Sequence, residues 1–366
     1  MESGKTPERD NEKRRNLAVV TSSLYLGGAQ KVACLLANGL SDEFNVTLIY
    51  SFNSGRSNPI REEVGIWKLP DYDRNDSLWK KARCIRKQVK ALHALKNELD
   101  IDAAISFGNH SNLINLMSKG KGRVICSERS NPKRSWGRWF FWVSRILYLQ
   151  SDYVIFQSER IRKLYGSRIH KKSCVLKNPL SRPKPAYDRR ERKIVNLGRL
   201  TAQKNHALLL RSFSRFRMQY PEYKLCIFGD GELEESLEQL IRSLGLSDSA
   251  FLEKNDPNVL ERIKDAEMFV LSSDFEGLSN ALLECMSMGV ACISTKCEGS
   301  TDVIRNGENG LIVDIGDEKA LAAAMCELAS DPELRRRLER QAMEDMRAYD
   351  KDVVVQDWAR AIRQCL

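Results

Sequence analysis

Short apolar runs alternate with amphipathic stretches along nearly the whole chain, a pattern that is typical of α/β proteins. In the first half, the apolar runs predict strands that begin at Leu17, Asn45, Ala103, Arg123 and Tyr153. In the second half, the same pattern predicts strands that begin at Ile194, Lys224, Met268, Ala291 and Gly310. Because helices separate these strands, we predict two doubly wound parallel sheets.

A proline-rich stretch divides the two series of strands. Three prolines lie within residues 179–185, which breaks regular elements and suits a stiff linker. A chain of 366 residues has room for two domains. We predict a disordered basic lead-in (1–15), a first Rossmann-like domain (16–180), a second one (181–350), and a last helix (351–366) that packs back on the first domain.

One loop in the second half is a candidate ligand site. Glu276 follows the apolar strand 268–271, and Glu284 comes about two turns into the next helix, which ends at Gly289. In open α/β sheets, ligands bind at the carboxyl ends of the strands, and the free amides near Ser279 and Asn280 favour an anion. Two carboxylates around such a helix start suit a sugar on one side and a ribose on the other. The alternative is that these acids only complement the helix dipole.

Two features of the first half also follow predicted strands. Gly27 and Gly28 separate the first strand from an amphipathic helix over 29–40, so that backbone amides can approach a phosphate. The spacing is not that of the dinucleotide-binding fingerprint. His110 follows the strand at 103–107 and is placed either to contact substrate or to cap the next helix.

The helix predicted over 78–99 is basic. Its apolar stripe is Leu78, Ala82, Ile85, Val89, Leu92 and Leu99. Most of its remaining surface is covered by six cations, which lie within eleven residues that contain no acid: Lys80, Lys81, Arg83, Arg86, Lys87 and Lys90. Such a surface is either a solvated face or a docking site for an anion. The aromatic stretch 136–149 either rests in a membrane interface or covers the sheet, and the strand that follows at once favours the second interpretation.

The bulk composition restricts the class of protein. A net charge of +10 and a pI near 9.1 indicate an anionic partner without choosing among nucleic acid, lipid headgroups and phosphorylated molecules. The polar amino terminus is not a signal peptide, and no stretch reaches 18 apolar residues. The ten cysteines form no Cys-x-x-Cys pair, and there are four histidines, so we expect thiols in a reducing cytoplasm and no metal site.

Several spaced motifs in a fixed order resemble the family 4 (group 1) retaining glycosyltransferases with the GT-B fold, in which two Rossmann-like domains face each other across a cleft. The match covers nearly the whole chain and is densest over 193–315. The motifs are Gly27-Gly28-Ala29-Gln30-Lys31, Leu197-Gly198-Arg199-Leu200, Gln203-Lys204-Asn205, Phe228-Gly229-Asp230-Gly231, Glu276 to Glu284, and Asn306 to Gly310.

The resemblance implies roles for individual residues. Arg199 and Lys204 would hold the diphosphate of a nucleotide-sugar donor, Glu284 the ribose, and Glu276 the transferred sugar. His110 would lie near that sugar, so the implied catalytic set is Glu276, Arg199, Lys204 and His110. The remaining donor-binding residues would be Gly27, Gly28, Phe228, Gly277, Leu278, Ser279 and Asn280.

The resemblance also implies the reaction and its partners. We expect transfer of a hexose or N-acetylhexosamine, with retention, from a UDP-sugar, without a metal or other cofactor. The loop over 127–132 resembles that of enzymes extending surface glycans or lipid-linked oligosaccharides. We therefore expect a glycan or polyprenyl-pyrophosphate-linked acceptor, held by the basic residues Arg83, Arg86, Lys87, Lys90 and Arg129. The protein would sit peripherally on the anionic cytoplasmic face of the inner membrane.

Two alternatives remain open. A sugar epimerase or phosphorylase would share the fold, but the first expects more acids and histidines in the cleft and the second a lysine that carries pyridoxal phosphate. A basic nucleic-acid-binding protein would explain the charge. However, such proteins usually show a compact basic motif or exposed aromatic platforms, whereas the basic residues here are distributed. We therefore expect no nucleic-acid partner.

Overall fold

The computed structural model describes residues 14–24, 27–52, 58–72, 76–129, 137–180, 191–254 and 258–366. Most of the predicted lead-in, the proline-rich linker after residue 180, residues 130–132 of the 127–132 loop and the start of the aromatic stretch lie outside these residues. Within them, the strands form two parallel sheets, one of seven strands and one of six, with helices on both faces of each. This is the doubly wound architecture that the sequence pattern predicts.

The first sheet has the order β3-β2-β1-β4-β5-β6-β7, and all its pairings are parallel. Buried apolar residues alternate between its faces, so that Val19 of β1 faces one side of the sheet and Val20 the other. Its strands are β1 (Asn16–Thr21), β2 (Asn45–Tyr50), β3 (Gly65–Lys68), β4 (Ala103–Phe107), β5 (Arg123–Glu128), β6 (Tyr153–Phe156) and β7 (Ser173–Val175).

The second sheet has the order β10-β9-β8-β11-β12-β13 and is also parallel throughout. Its central strands are apolar on both faces because helices cover both, as in all-parallel sheets generally. Its strands are β8 (Glu191–Leu197), β9 (Lys224–Phe228), β10 (Ala250–Glu253), β11 (Ala266–Leu271), β12 (Ala291–Thr295) and β13 (Leu311–Val313).

Helices connect the strands. Those of the first half are α1 (Gly28–Leu40), α2 (Leu78–Glu98), α3 (Asn109–Met117), α4 (Gly137–Leu147), α5 (Glu159–Arg162) and α6 (Ser167–His170). Those of the second half are α7 (His206–Arg217), α8 (Glu234–Ser243), α9 (Val259–Ile263), α10 (Asn280–Ser287), α11 (Glu298–Thr301), α12 (Glu318–Ser330), α13 (Pro332–Met346) and α14 (Lys351–Cys365). Among the described residues, no helix combines the length and apolar character that crossing a bilayer requires.

The last helix, α14, completes the core of the first half. Trp358 is fully buried, and its ring stacks on that of Phe107 at 5.5 Å between centroids. Its indole Nε1 donates a hydrogen bond to the backbone oxygen of Lys177 at 3.1 Å. Leu180 pairs with the chain just before α14, where its amide donates to Tyr349 O at 3.0 Å. The chain passes from one half to the other near Leu180 and returns near Tyr349. These two chain crossings therefore lie side by side.

Helix α2 differs in detail from the stripe that its sequence predicts. Ala82 is exposed, whereas two polar residues, Gln88 and Lys96, are buried. The Lys96 ammonium donates to Asn115 Oδ1 at 2.7 Å and to Ser118 Oγ at 3.0 Å, and burial lowers its pKa to about 8. Two polar side chains of the helix thus point into the protein, where hydrogen bonds to other parts of the chain offset the cost of burying them.

Candidate active site

The carboxyl ends of the two sheets face each other across a cleft. Asn280, the first residue of α10, donates from Nδ2 to Gly28 O in the first turn of α1 at 3.0 Å. A Cβ on Gly28 would lie 3.3 Å from Asn280 Nδ2, so glycine allows this close approach. Asn178 at the chain crossing donates to Asn280 Oδ1 at 2.6 Å. The amino-terminal turns of two helices, both with partial positive charge, thus meet at one place.

The loop before α10 holds both candidate carboxylates. Ser279 caps the helix through Leu282 N, and the helix begins at Asn280. Glu284 therefore lies just over one turn into α10, not two turns as the sequence predicts. Glu276 is 9% exposed and Glu284 is 6% exposed. Both are buried acids at the carboxyl end of β11, and such acids require a charged or hydrogen-bonding partner.

Each buried carboxylate has a lysine partner. Lys204 Nζ lies 2.5 Å from Glu276 Oε1, which also accepts from Ser273 Oγ at 3.1 Å. Lys31 Nζ, from the opposite half of the molecule, lies 2.5 Å from Glu284 Oε1. In the sequence, Lys31 ends the motif that begins at Gly27, and no role is predicted for it.

The turn that carries Lys204 is fixed to the Glu276 loop. Gln203 Nε2 donates to Phe275 O at 2.9 Å, and Asn205 Nδ2 donates to Asp274 Oδ1 at 2.8 Å. A Cβ at Gly198 would come within 3.0 Å of Lys204 Cε, so the glycine leaves room for the lysine side chain. Arg199, next along the chain, is exposed and has no ion pair in the described ranges. Its guanidinium is available to an anion.

Gly277 and Leu278 line the same loop and are partly exposed. The loop packs tightly on the start of α11, where a Cβ at Gly299 would overlap Gly277 O at 1.3 Å. The amide of Leu278 points to Gln157 Oε1 of the first half at 3.5 Å. Gly27, which precedes α1, is exposed, and α1 has no side-chain cap, so its first amides remain available.

His110 lies in the first turn of α3, at the carboxyl end of β4. Its Nε2 is 3.0 Å from Gln88 Oε1 of α2. Its ring packs against Phe52 at 5.0 Å and Tyr72 at 6.4 Å between centroids. Burial lowers the pKa of His110, which keeps the imidazole neutral at physiological pH.

The structure places two candidate residues in the interior. The ring of Phe228 is 3% exposed and lies under the Arg262 guanidinium at 4.8 Å, so its side chain is not available to a nucleotide base. Arg129, a candidate for acceptor binding, is also buried: it bonds to Asn178 Oδ1 and lies 5.8 Å from the Phe107 and Trp358 rings. Burial lowers its pKa to about 9. Arg129 therefore supports the chain crossing.

The other acceptor candidates share one exposed surface. Arg83, Arg86, Lys87 and Lys90 are all exposed on α2. Helices α2, α3 and α4 cover the same face of the first sheet, opposite α1 and α14. This face also exposes large apolar side chains, namely Trp79 (87%), Met117 (54%), Trp142 (61%) and Ile146 (63%). The Arg145 guanidinium lies 4.9 Å from the Trp142 ring.

The cleft therefore offers cations, helix starts and buried carboxylates from both halves. In the described part of the chain, no three His, Cys, Asp or Glu side chains cluster as a metal site would require. The structure brings together three charged residues of the second half, Lys204, Glu276 and Glu284. Lys31 of the first half contacts Glu284. His110 belongs to the first half and lies at the carboxyl end of β4, in the first turn of α3.

Solved structures share this architecture. TarM of S. aureus, solved with fondaparinux, α-GlcNAc-glycerol and UDP, superposes with a TM-score of 0.78 at 10% identity, over 95% of this chain and 99% of that one. HepE of Anabaena, solved with UDP and glucose, gives 0.78 at 15% identity, over 95% and 99%. The fold is the GT-B fold of two Rossmann-like halves.

The sequence comparisons give similarities of the same kind. Residues 178–345 match the family model described as glycosyl transferases group 1. The whole chain is similar to the GalNAc-α-(1→4)-GalNAc-α-(1→3)-diNAcBac-PP-undecaprenol α-1,4-N-acetyl-D-galactosaminyltransferase of Campylobacter jejuni, with 28% identity over 95% of this chain and 98% of that one. A second C. jejuni enzyme, an N-acetylgalactosamine-N,N'-diacetylbacillosaminyl-diphospho-undecaprenol 4-α-N-acetylgalactosaminyltransferase, is 27% identical over 94% and 98%. The second half of the chain is thus similar to the group 1 glycosyltransferases, and nearly the whole chain is similar to two sugar transferases.

Proposed function

We propose that the protein transfers an N-acetylhexosamine from a UDP-sugar to a sugar acceptor linked to a polyprenyl diphosphate, with retention and without a metal ion. The observation that carries the proposal is the pair of lysine–carboxylate contacts at the start of α10, Lys204 with Glu276 and Lys31 with Glu284. The two C. jejuni relatives, whose names give lipid-linked acceptors and N-acetylgalactosamine transfer, support the choice of substrates.

When the donor binds, its polar groups would replace part of these lysine–carboxylate contacts. Glu284 has two carboxylate oxygens, and ribose hydroxyls would bind there and weaken its contact with Lys31. The diphosphate would lie between the starts of α1 and α10, with the Lys204 and Arg199 cations on it. Glu276 would bind the hydroxyls of the transferred sugar. The charge that develops on the leaving diphosphate would be stabilised by these cations, which is why a metal is not required.

Retention follows if both reacting bonds lie on one face of the sugar. In this scheme the acceptor hydroxyl attacks from the side that UDP leaves, and a leaving phosphate oxygen takes its proton. No protein base is then needed, and His110, kept neutral by burial, would act as a hydrogen-bonding group. The product would be an α-glycoside.

The acceptor would reach the cleft from the membrane. The face formed by α2, α3 and α4 combines exposed Arg83, Arg86 and Lys87 with exposed Trp79 and Trp142. Basic residues attract anionic headgroups, and tryptophan prefers the interface between lipid and water. We therefore place this face on the cytoplasmic leaflet, where the acceptor's diphosphate would meet the basic residues.

Nucleotide binding tests the proposal directly. We expect calorimetry to detect UDP and to show weaker binding of GDP. Glu284→Gln should weaken UDP by about 10- to 100-fold, since hydrogen bonds to a charged group contribute roughly 1.5–3 kcal/mol. It should also remove the preference for UDP over 2′,3′-dideoxy-UDP. Glu327→Gln, an exposed acid on α12, is the matched control. If wild type bound neither nucleotide at millimolar concentration, the proposal would fail.

Product analysis tests the remaining parts. With UDP-N-acetylhexosamine and a polyprenyl-diphosphate-linked sugar in vesicles, we expect a product whose anomeric proton shows the small coupling of an α-linkage, formed equally well in the presence of EDTA. A β-linked product would exclude retention, and loss of turnover in EDTA would exclude independence from metal.

A further inference from the structure

Gln88 lies on the basic helix α2, but its side chain points into the protein and is fully buried. Its Nε2 donates a hydrogen bond to the backbone oxygen of Pro70 at 2.7 Å, and its Oε1 lies 3.0 Å from Nε2 of His110. The neighbours of Gln88 along the helix, Lys87 and Lys90, are exposed. A single residue of α2 therefore connects the segment before the helix with the candidate histidine of the cleft.

These contacts determine which ring nitrogen of His110 carries the proton. A backbone carbonyl only accepts hydrogen bonds, so the Gln88 amide nitrogen must face Pro70 O. The Gln88 oxygen, which also only accepts, then faces His110, and Nε2 of the ring must be the donor. Because burial lowers the pKa of His110, the ring is neutral and Nδ1 keeps its lone pair.

The ring is fixed from its sides as well. Phe52 lies 5.0 Å from His110 and 5.0 Å from Tyr72 between ring centroids, so the two aromatic rings limit rotation of the imidazole. Nδ1 has no hydrogen-bond partner among the residues that the structure describes. An orientated, neutral ring with a free lone pair at the carboxyl edge of β4 is suited to accept a hydrogen bond from a hydroxyl.

We propose that Gln88 is a positioning residue, which holds His110 as the Nε2-protonated tautomer so that Nδ1 accepts a hydrogen bond from a hydroxyl of the bound sugar substrate. The assignment of the hydroxyl to a sugar substrate rests on the proposed function, whereas the assignment of the tautomer does not.

Nitrogen-15 NMR of the imidazole rings tests the tautomer. In wild type at pH 8, we expect the Nδ1 resonance of His110 in the range of an unprotonated nitrogen and Nε2 in that of a protonated one. Gln88→Met removes the acceptor, so Nε2 should lose its preference and the two resonances should move toward each other. His206 provides an internal control because its own partner, Asn196, is unaffected. Its resonances should stay unchanged.

Kinetics separate positioning from a merely structural role. Gln88→Met should lower kcat by about tenfold, as expected for loss of one hydrogen bond, with little change in UDP affinity. A wild-type spectrum with the proton on Nδ1 would overturn the proposal, and so would a Gln88→Met spectrum identical to wild type. The wild-type spectrum decides the tautomer even if a variant does not fold.

The two proposals can fail separately. If the expected spectra were obtained but UDP did not bind, the donor assignment would fail and the positioning role of Gln88 would stand. If UDP bound and turnover were normal, but the wild-type ring carried its proton on Nδ1, the positioning role would fail alone.

Discussion

The two sheet edges that meet at the cleft are built from different chemistry. The edge of the second sheet carries buried carboxylates paired with lysines, Lys204 with Glu276 and Glu284 with Lys31. The edge of the first sheet supplies Lys31 to that pairing and otherwise presents backbone at Gly27 and Gly28 and a neutral histidine between aromatic rings. The charged edge suits a ligand that brings its own charge and hydroxyls. The neutral edge suits a hydroxyl of a sugar.

Two histidines, His206 and His110, have the same hydrogen-bonding arrangement but differ in where they lie. Asn196 donates to Val270 O at 2.7 Å and faces Nε2 of His206 at 3.0 Å, just as Gln88 faces both Pro70 O and His110. His206, however, is 1% exposed and closely follows Lys204. The arrangement therefore orientates a ring in both halves. Only the first half leaves that ring at the cleft edge beside exposed loops.

The largest effect should come from the charged edge. Lys204→Met removes the cation that contacts Glu276 and, in our proposal, the donor diphosphate. We expect kcat to fall by about 10²- to 10³-fold, the usual loss when one group that stabilises developing charge is removed. Steady-state kinetics with a UDP-sugar measures this.

Lys193→Met is the matched control for that prediction. Lys193 makes comparable ion pairs with Glu191 and Asp265, but at the amino end of β8, away from the cleft. Its removal should leave kcat within a few-fold of wild type. Equal losses in both variants would mean that Lys204 acts through stability, which would remove the distinction between the two edges.

The next effect concerns the first half. Reversal of Arg83, Arg86 and Lys87 to glutamate should weaken binding to vesicles that contain anionic lipid by about 10²-fold, because each basic residue near such a surface contributes roughly 1 kcal/mol. Use of a lipid-linked acceptor should fall with it, and UDP affinity should stay the same. Co-sedimentation and calorimetry measure the two quantities.

A control triple variant keeps the same change of net charge. Lys319, Arg336 and Arg340 are exposed on α12 and α13 of the second half. Their reversal should leave vesicle binding near the wild-type value. If both triple variants lost binding equally, the basic surface of α2 would have no specific role, and net charge alone would explain membrane attraction.

The sequence pattern predicts most of the architecture because buried parallel strands read as continuous apolar runs. It misses three strands at the sheet edges: β3, whose four residues are exposed, β7, which has three residues, and β10, which has four. The presence of two doubly wound parallel sheets follows from the alternation of elements, whereas the order of the strands within them is seen only in the structure. Short or exposed edge strands give no such signal, since they depend on pairing with a neighbour.

The candidate site could be predicted only in part. Glu276, Glu284 and Lys204 stand in local motifs. The contact between Lys31 and Glu284 joins residues 253 positions apart and has no local signature. From its place on a basic helix, Gln88 would be expected on the surface. It is buried because its side chain bonds to Pro70 and His110. Phe228 and Arg129 show the reverse case, because their residue types suit binding but packing places them in the interior.

The smallest predicted effect concerns His206, the buried histidine of the second half. Burial, together with the positive charge of Lys204, lowers the pKa of His206 from 6.5 to about 4. Between these values the unfolded chain binds a proton that the folded protein does not, so this contribution to stability is fully present above pH 6.5 and is lost as the pH falls toward 4.

Two-state linkage with these values gives a loss of about 1 kcal/mol between pH 7.5 and 5.5. His206→Gln keeps a donor for Asn196 and does not titrate. The difference in unfolding free energy between wild type and this variant should therefore shrink by that amount over the interval, as measured by urea denaturation. A difference that stays constant with pH would show that the pKa of His206 is not lowered in the folded protein. His206 would then not be a buried, orientated counterpart of His110.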